Sequence, residues 1–306
     1  MTEAIATSTP QANRRALGHQ ANIPPRRMDF KFSEHAPHYY FGNDPFCSTF
    51  LTALSSLFPH GEAFFVQSVR YYRDQINDPL MKAQVAGFIG QEAMHSKEHI
   101  AFNDMITRQG LPVDRLHHDV GILLDTAQKI LPRTMQLAAT VCLEHYTAII
   151  AEMLLRDPEV QQRFSEESRT LWLWHAVEEN EHKNVAFDVF QNVSGSYAWR
   201  AGTMIPTTII FFAVAFWFHA RLLAHDRSLF NLRANWNSFK YLWGGRKGIF
   251  SRLLPQYLDF FRPDFHPSQH ATDALLNEWR DRLFGSKGIL KTQLARTSRG
   301  TVKTVF

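Results

Sequence analysis

Gln91-Glu92-Ala93-Met94-His95 and, further along, Glu178-Glu179-Asn180-Glu181-His182 are the two stretches on which the reading of this chain turns. A helix advances about 100° per residue, so a Glu and a His three positions apart share one face, a turn from each other. Each stretch can therefore aim a carboxylate and an imidazole at a single metal ion. The residues after each pair also match. Ala101-Phe102-Asn103 trails the first pair and Ala186-Phe187-Asp188 trails the second, with a one-residue difference in spacing. Two pseudo-symmetric halves of a bundle are implied.

Working outward, helical spacing of apolar residues runs through 61–76, 79–108, 113–131, 134–156 and 166–193. The breaks fall at Asn77-Asp78-Pro79, Gly110-Leu111-Pro112, Pro132 and Asp157-Pro158, each with a Pro or Gly. No alternating run long enough for a substantial sheet stands out, and 28–41 reads as extended. The expected fold is all-α, a ferritin-like four-helix bundle with additional C-terminal helices. Such a dimetal bundle needs one more Glu from each of two other helices. Glu62 and Glu144 supply them, the latter on an otherwise apolar stretch where an unpaired carboxylate would be costly. His175, four before Glu179 and seven before His182, falls within an arc of roughly 60° of both. The expected metal ligands are thus Glu62, Glu92, His95, Glu144, His175, Glu179 and His182. Four carboxylates balance two divalent cations, and mixed nitrogen and oxygen donors suit iron, with manganese or zinc as alternatives.

Composition sets the bounds. The 306 residues carry 33 Lys+Arg against 29 Asp+Glu, a net charge of +4 with no long basic run, so nucleic acid is not an expected partner. Hydrophobic residues make up 45%, which argues against wholesale disorder. Cys47 and Cys142 are too few for a disulfide scaffold or an all-cysteine metal site. The expected organisation is a disordered arm over 1–25, the dimetal bundle over 26–195, an apolar and aromatic helical region over 196–285 packed on it, and a flexible tail over 286–306. Residues 201–220 hold no charged side chain, with Arg200 and Arg221 at the flanks. About 20 apolar residues suffice for a span. Pro206, Thr207, Thr208 and His219 weaken one, so a buried or membrane-dipping helix is preferred, with a true span left open. A cytoplasmic location with membrane association through this segment is expected.

The set Glu, Glu-x-x-His, Glu, His-x-x-x-Glu-x-x-His resembles the ferritin-like di-iron oxygenases of the arylamine N-oxygenase type, whose seventh ligand is a histidine placed like His175. The wider sequence resembles the bacterial "predicted metal-dependent hydrolase" family over roughly 25–285, through Gln91 to His95 with His99, Trp174-His175, Glu178-Glu179, Glu181-His182-Lys183, Val185 to Asp188 and Phe265-His266-Pro267. The resemblance implies metal binding.

Beyond these seven, His99 shares the face of Glu92 and His95 and is read as a partner behind them, with an eighth ligand or a proton relay as alternatives. Tyr146 and Cys142 flank Glu144; core packing is the preferred reading for both, with lining of a substrate or oxygen pocket as the alternative, and Tyr146 joins His99 as a candidate catalytic residue. Asn103 and Asp188 are candidates to bond the outer nitrogens of ligand histidines, while Glu178 and Glu181 fall off the ligand face and are read as solvated or as partners behind the ligands. The preferred reading is an oxygen-dependent oxidoreductase acting on a small apolar substrate, with O2 and an electron donor as partners and a homodimer as a candidate assembly. The first alternative is a hydrolase using a metal-bridging hydroxide, and the second is a non-enzymatic iron-binding bundle.

Overall fold

The computed structural model describes residues 10–295. The chain is all-α, and no strand forms among the described residues; two isolated bridges, Met28 with Leu294 and Phe41 with Phe164, are the nearest approach to one. Four long helices carry the expected ligands: α2 (Pro45–Tyr72), α3 (Pro79–Arg108), α5 (Arg133–Arg156) and α7 (Glu166–His182), with α1 (Pro10–Ala21) ahead of them and α4 (Val113–Ile130) and the short α6 (Pro158–Arg163) between. Capping explains where they start. Asp44 accepts from the Cys47 amide with Pro45 at the first turn, and Asp78 accepts from the Leu80 amide ahead of Pro79.

Two apolar clusters fill the bundle, and they fix its topology. Along α2 the chain passes from Phe50 and Leu57 of one cluster to Phe64 and Val69 of the other. Along α3 it passes the opposite way, from Phe88 to Phe102, and α5 repeats that direction from Val141 to Leu154. From Val177 on α7 the chain returns toward Val185. Helices α3 and α5 therefore run the same way, and α4 is the crossover that carries the chain back between them. Glu62, Glu92, His95, Glu144, Glu179 and His182 all lie where the helices pass between the two clusters. Helix α2 packs on α3 and α5 on α7, with α2–α5 and α3–α7 contacts closing the bundle. After it come α8 (Val185–Val193), α9 (Tyr197–His225), α10 (Leu232–Trp243), α11 (Leu254–Asp259) and α12 (Asp273–Phe284).

Several boundaries differ from expectation. Helix α2 begins at Pro45, not near residue 61, because Pro59 sits inside it. A proline there removes the N–H that the Ser55 carbonyl would accept, and Asn103 Nδ2 donates to that carbonyl at 3.0 Å instead. The single helix expected over 166–193 breaks at Lys183-Asn184, where Lys183 Nζ is drawn to Thr272 Oγ1 (2.9 Å) and the His270 carbonyl. The expected disordered arm holds a helix over Pro10–Ala21 that packs on α3, followed by buried Ile23 and Arg26. The expected flexible tail docks as far as residue 295: Leu290 is buried, Gln293 O accepts from the Asp29 amide and the Ala295 amide donates to Arg27 O. The polar composition of both ends hid these anchors. Residues 1–9 and 296–306 of those two segments lie outside the described residues.

Candidate metal centre

All seven expected ligands are buried and meet in one cluster. Glu179 Oε1 is its hub, 3.0 Å from His175 Nε2, 3.4 Å from His95 Nδ1 and 3.6 Å from His182 Nε2. His182 Nε2 lies 3.0 Å from Glu92 Oε1 and 3.5 Å from Glu144 Oε2. His95 Nδ1 lies 3.8 Å from Glu92 Oε1, and His175 Nε2 lies 3.9 Å from Glu62 Oε1. Three overlapping sets can each close on one cation: Glu62, His95 and His175; Glu92, His95 and Glu179; Glu92, Glu144 and His182.

Hydrogen bonds behind the cluster decide which face of each imidazole looks inward. His95 Nε2 donates to Glu178 Oε2 at 3.1 Å, which leaves Nδ1 toward the carboxylates. His182 Nδ1 donates to Gln91 Oε1 at 2.9 Å. The Gln91 amide is itself oriented, since its Nε2 donates to Glu181 Oε2 at 2.6 Å. His175 is set by a longer chain. Asn103 Oδ1 accepts from Ser55 Oγ (2.7 Å), so Ser55 accepts from His99 Nδ1 (2.8 Å), and His99 Nε2 accepts from His175 Nδ1 (2.7 Å). Burial, then the neighbouring imidazoles His175 and His95, hold His99 well below the usual histidine range, which keeps it neutral as this chain requires. Each of the three imidazoles thus spends its outer N–H on a fixed partner and turns its other nitrogen inward, the arrangement of metal-ligating histidines.

The inner atoms fit a metal. Glu62 Oε1, both oxygens of Glu92 and of Glu144, Glu179 Oε2, His95 Nδ1 and His182 Nε2 are buried without a hydrogen bond. So many orphaned polar atoms in one place would be costly unless a cation satisfied them. The electrostatics ask for positive charge. Burial, then the charge of Glu92, pushes Glu62 and Glu144 well above the usual carboxyl range. Burial would lower His95, but the neighbouring carboxylates Glu178, Glu179 and Glu92 outweigh it and carry the imidazole up to about 10. The oxygen and imidazole donors suit a divalent transition ion and offer no thiolate.

Sequence reasoning gave Gln91 no role and left Glu178, off the ligand face, either in solvent or behind the ligands; the structure puts it behind His95. Both act across the pseudo-twofold: the polar residue just before each motif Glu holds the histidine of the other motif. The repeated polar-Glu-x-x-His pattern was the available signal. Glu181, also placed off that face, is buried between Arg26 (Nη2 to Oε1, 2.7 Å) and Arg280 (Nε to Oε1, 2.6 Å). Asn103 reaches the imidazoles only through Ser55, and Asp188 pairs with His266 at 2.8 Å instead of a ligand histidine. His99 stands directly behind His175. Tyr146 turns its hydroxyl to Thr208 on α9 and stacks its ring with Phe211 and Tyr257, and it lines the cavity that reaches Glu62, His175 and Glu179.

A cavity of about 470 Å³ reaches Glu62, His175 and Glu179 from the protein surface. Its walls are almost wholly apolar, built from α2, α4, α5 and α9 through residues such as Phe65, Leu124, Leu143 and Phe211.

The family model described as predicted metal-dependent hydrolase matches residues 24–271, the whole of the bundle and the chain beyond it up to α12. No curated protein and no solved structure matches the chain.

Proposed function

Because the chain belongs to the family of predicted metal-dependent hydrolases, we propose that it is a dinuclear metal hydrolase whose substrate is a small apolar molecule carrying an ester or related cleavable bond. One observation carries this reading: an apolar cavity ends on Glu62, His175 and Glu179 of a cluster with unsatisfied donor atoms. Glu62, Glu92, His95, Glu144, His175, Glu179 and His182 would hold two ions, since the three candidate sets interlock through His95 and Glu92. Bound cations would supply Lewis acidity toward the substrate oxygen and lower the pKa of a coordinated water toward neutrality.

The remaining work falls to the chain itself. Gln91, Glu178 and the Asn103–Ser55–His99 chain keep the imidazoles in one tautomer and one orientation. The apolar walls bind the substrate by burial and keep bulk water from the reacting bond. Glu62 takes one hydrogen bond on Oε2, from Ser96 Oγ at 2.7 Å, and presents Oε1 to the cluster at the cavity's end. Ser96 thereby fixes Glu62 at the end of the cavity as one of the carboxylates that would hold an ion.

A second reading, oxygen-dependent oxidation of the same kind of substrate with iron as the ion, is favoured by the donor set of four carboxylates and three imidazoles. It needs a separate electron donor.

Elemental analysis of the purified protein, followed by assays with p-nitrophenyl esters of increasing acyl length and with a reduced sample in an oxygen electrode, separates the two. Hydrolysis that improves with chain length, and disappears with a chelator or in Glu179→Ala, is expected. Oxygen uptake without ester turnover would replace it with the second reading. A protein that retains no stoichiometric metal would overturn both.

A further inference from the structure

Helix α9 packs one face on α2 and α5 and leaves the other uncovered. Met204, Ala215, Phe218 and Leu222 are buried, whereas Ile205, Ile209, Ile210, Phe216 and Trp217 stand exposed at helical spacing. No Asp, Glu, Lys or Arg interrupts 201–220. This apolar stripe does not end with the helix. Phe216 meets Trp243 (5.2 Å between ring centroids), Trp243 stacks on Phe239 (5.3 Å) and Phe239 stacks on Trp236 (5.6 Å), so α10 continues it. Phe230 and Leu232, 84% and 73% exposed, extend it further. An exposed apolar surface of this extent marks an interaction site.

The charge around the stripe says what covers it. From Arg227 to Leu258 the sequence contains six basic residues and no acidic one. Arg233, Lys240, Arg246 and Lys247 among them are exposed. Aromatic and aliphatic side chains bordered by Lys and Arg match an anionic lipid surface, where rings enter the headgroup boundary and cations meet phosphate. A helix lying in the bilayer surface fits better than a span, because α9 rests one face on α2 and α5 and is tied near both ends: Arg200 Nη2 donates to Arg262 O at 2.8 Å near its start, and His219 Nε2 donates to Phe46 O at 3.0 Å near its end.

The cavity shares this face. Pro206, Ile210 and Val214 of α9 line it, and its outer rim includes Ile130 of α4, 72% exposed. We propose that the α9–α10 face is a monotopic docking surface for an anionic bilayer, seated so that the cavity mouth opens into the lipid and apolar substrate enters without crossing water. The docking stands on this surface alone, while the substrate route rests on the function proposed above.

Flotation of the full-length protein with vesicles tests it. Two parts phosphatidylcholine to one part phosphatidylglycerol should recruit the protein, phosphatidylcholine alone should recruit it less, and added salt should release part of it. The double variant F230S/W236S should lose about tenfold or more in vesicle partitioning, from the apolar area it withholds, and Arg233→Glu with Lys240→Glu should abolish the preference for the anionic lipid. Both variants should keep the metal content and melting temperature of the parent, since all four side chains lie outside the core. Equal recovery of parent and variants with either vesicle would overturn the proposal. So would a parent dimer in light scattering that F230S/W236S splits while vesicles recruit neither form, which would assign the face to a second copy of the chain. Vesicle binding without any turnover would leave the docking intact and remove the proposed function, and turnover without vesicle binding would do the reverse.

Discussion

Gln91 and Glu178 occupy equivalent places, one residue before the motif Glu of their own helix, and each holds the histidine of the other helix. Neither touches the space where a cation would sit, so each acts by orientation. Removing such a partner costs about 10–100-fold in metal affinity in comparable sites. Gln91→Leu is expected to weaken metal retention by that factor, measured by competition with a chromophoric chelator, while far-ultraviolet circular dichroism stays unchanged. Glu178→Gln is milder, since its amide oxygen can still accept from His95 Nε2. Equal loss in both, or none in either, would deny them this role. The seven inward residues were legible because helix periodicity fixes which side chains share a face. Their outer partners were not, because the rotation of one helix against another decides what stands behind an imidazole. Glu178 is an example: on the wheel of its own helix it points off the ligand face, and only the approach of α3 gives it His95.

At the scale of helices, Pro59 and Asn103 are a matched pair. The proline leaves the Ser55 carbonyl without its helical donor, and Asn103 on α3 supplies one across the α2–α3 contact. A buried carbonyl left unpaired costs about 1–3 kcal/mol. Asn103→Leu is therefore expected to destabilise the protein by about that much in urea unfolding. In a Pro59→Ala background, where residue 59 regains an N–H for Ser55, the same substitution should cost clearly less. Additive effects in this double-mutant cycle would mean that the two residues are not coupled. This pair also explains why α2 was the least legible long helix: an internal proline reads as a boundary unless a distant residue repairs it. Helix α3 was fully legible, because Asp78-Pro79 starts it and Gly110, at a φ of 105°, follows its end. The break between α7 and α8 has no Pro or Gly to announce it.

For the molecule as a whole, both ends of the described chain are tied to the bundle by charges at the metal helices. Arg26 Nη1 reaches Glu178 Oε1 at 2.8 Å, Arg26 Nη2 reaches Glu181, and Arg280 of α12 joins them. Composition could not disclose this, since a polar segment with one decisive arginine looks like any other arm. Arg26→Met takes a buried charge partner from both Glu178 and Glu181, which keep His95 and Arg280 respectively, and is expected to cost about 3 kcal/mol, read as a lower urea midpoint with an unchanged m-value. The stability of the whole also depends on acid through His145, which follows Glu144 in sequence but turns its ring toward Phe260, Phe265 and His270. Burial, then the charge of His270, drives His145 down to about 3, and its Nε2 donates to Gln256 O at 3.0 Å. Its unfolded pKa is near 6.5. Between those values the unfolded chain binds a proton that the folded chain refuses, so stability rises with pH across the window and is lost as pH falls below about 6.5. The loss from this one group reaches about 2 kcal/mol by pH 5. His145→Gln keeps a donor for Gln256 but cannot titrate. Urea unfolding of both proteins from pH 7 to pH 5 should therefore show the parent losing about 2 kcal/mol more than the variant. Acid effects on the metal ligands act on both alike and cancel in the difference, so parallel curves would show that His145 takes up its proton in the folded state.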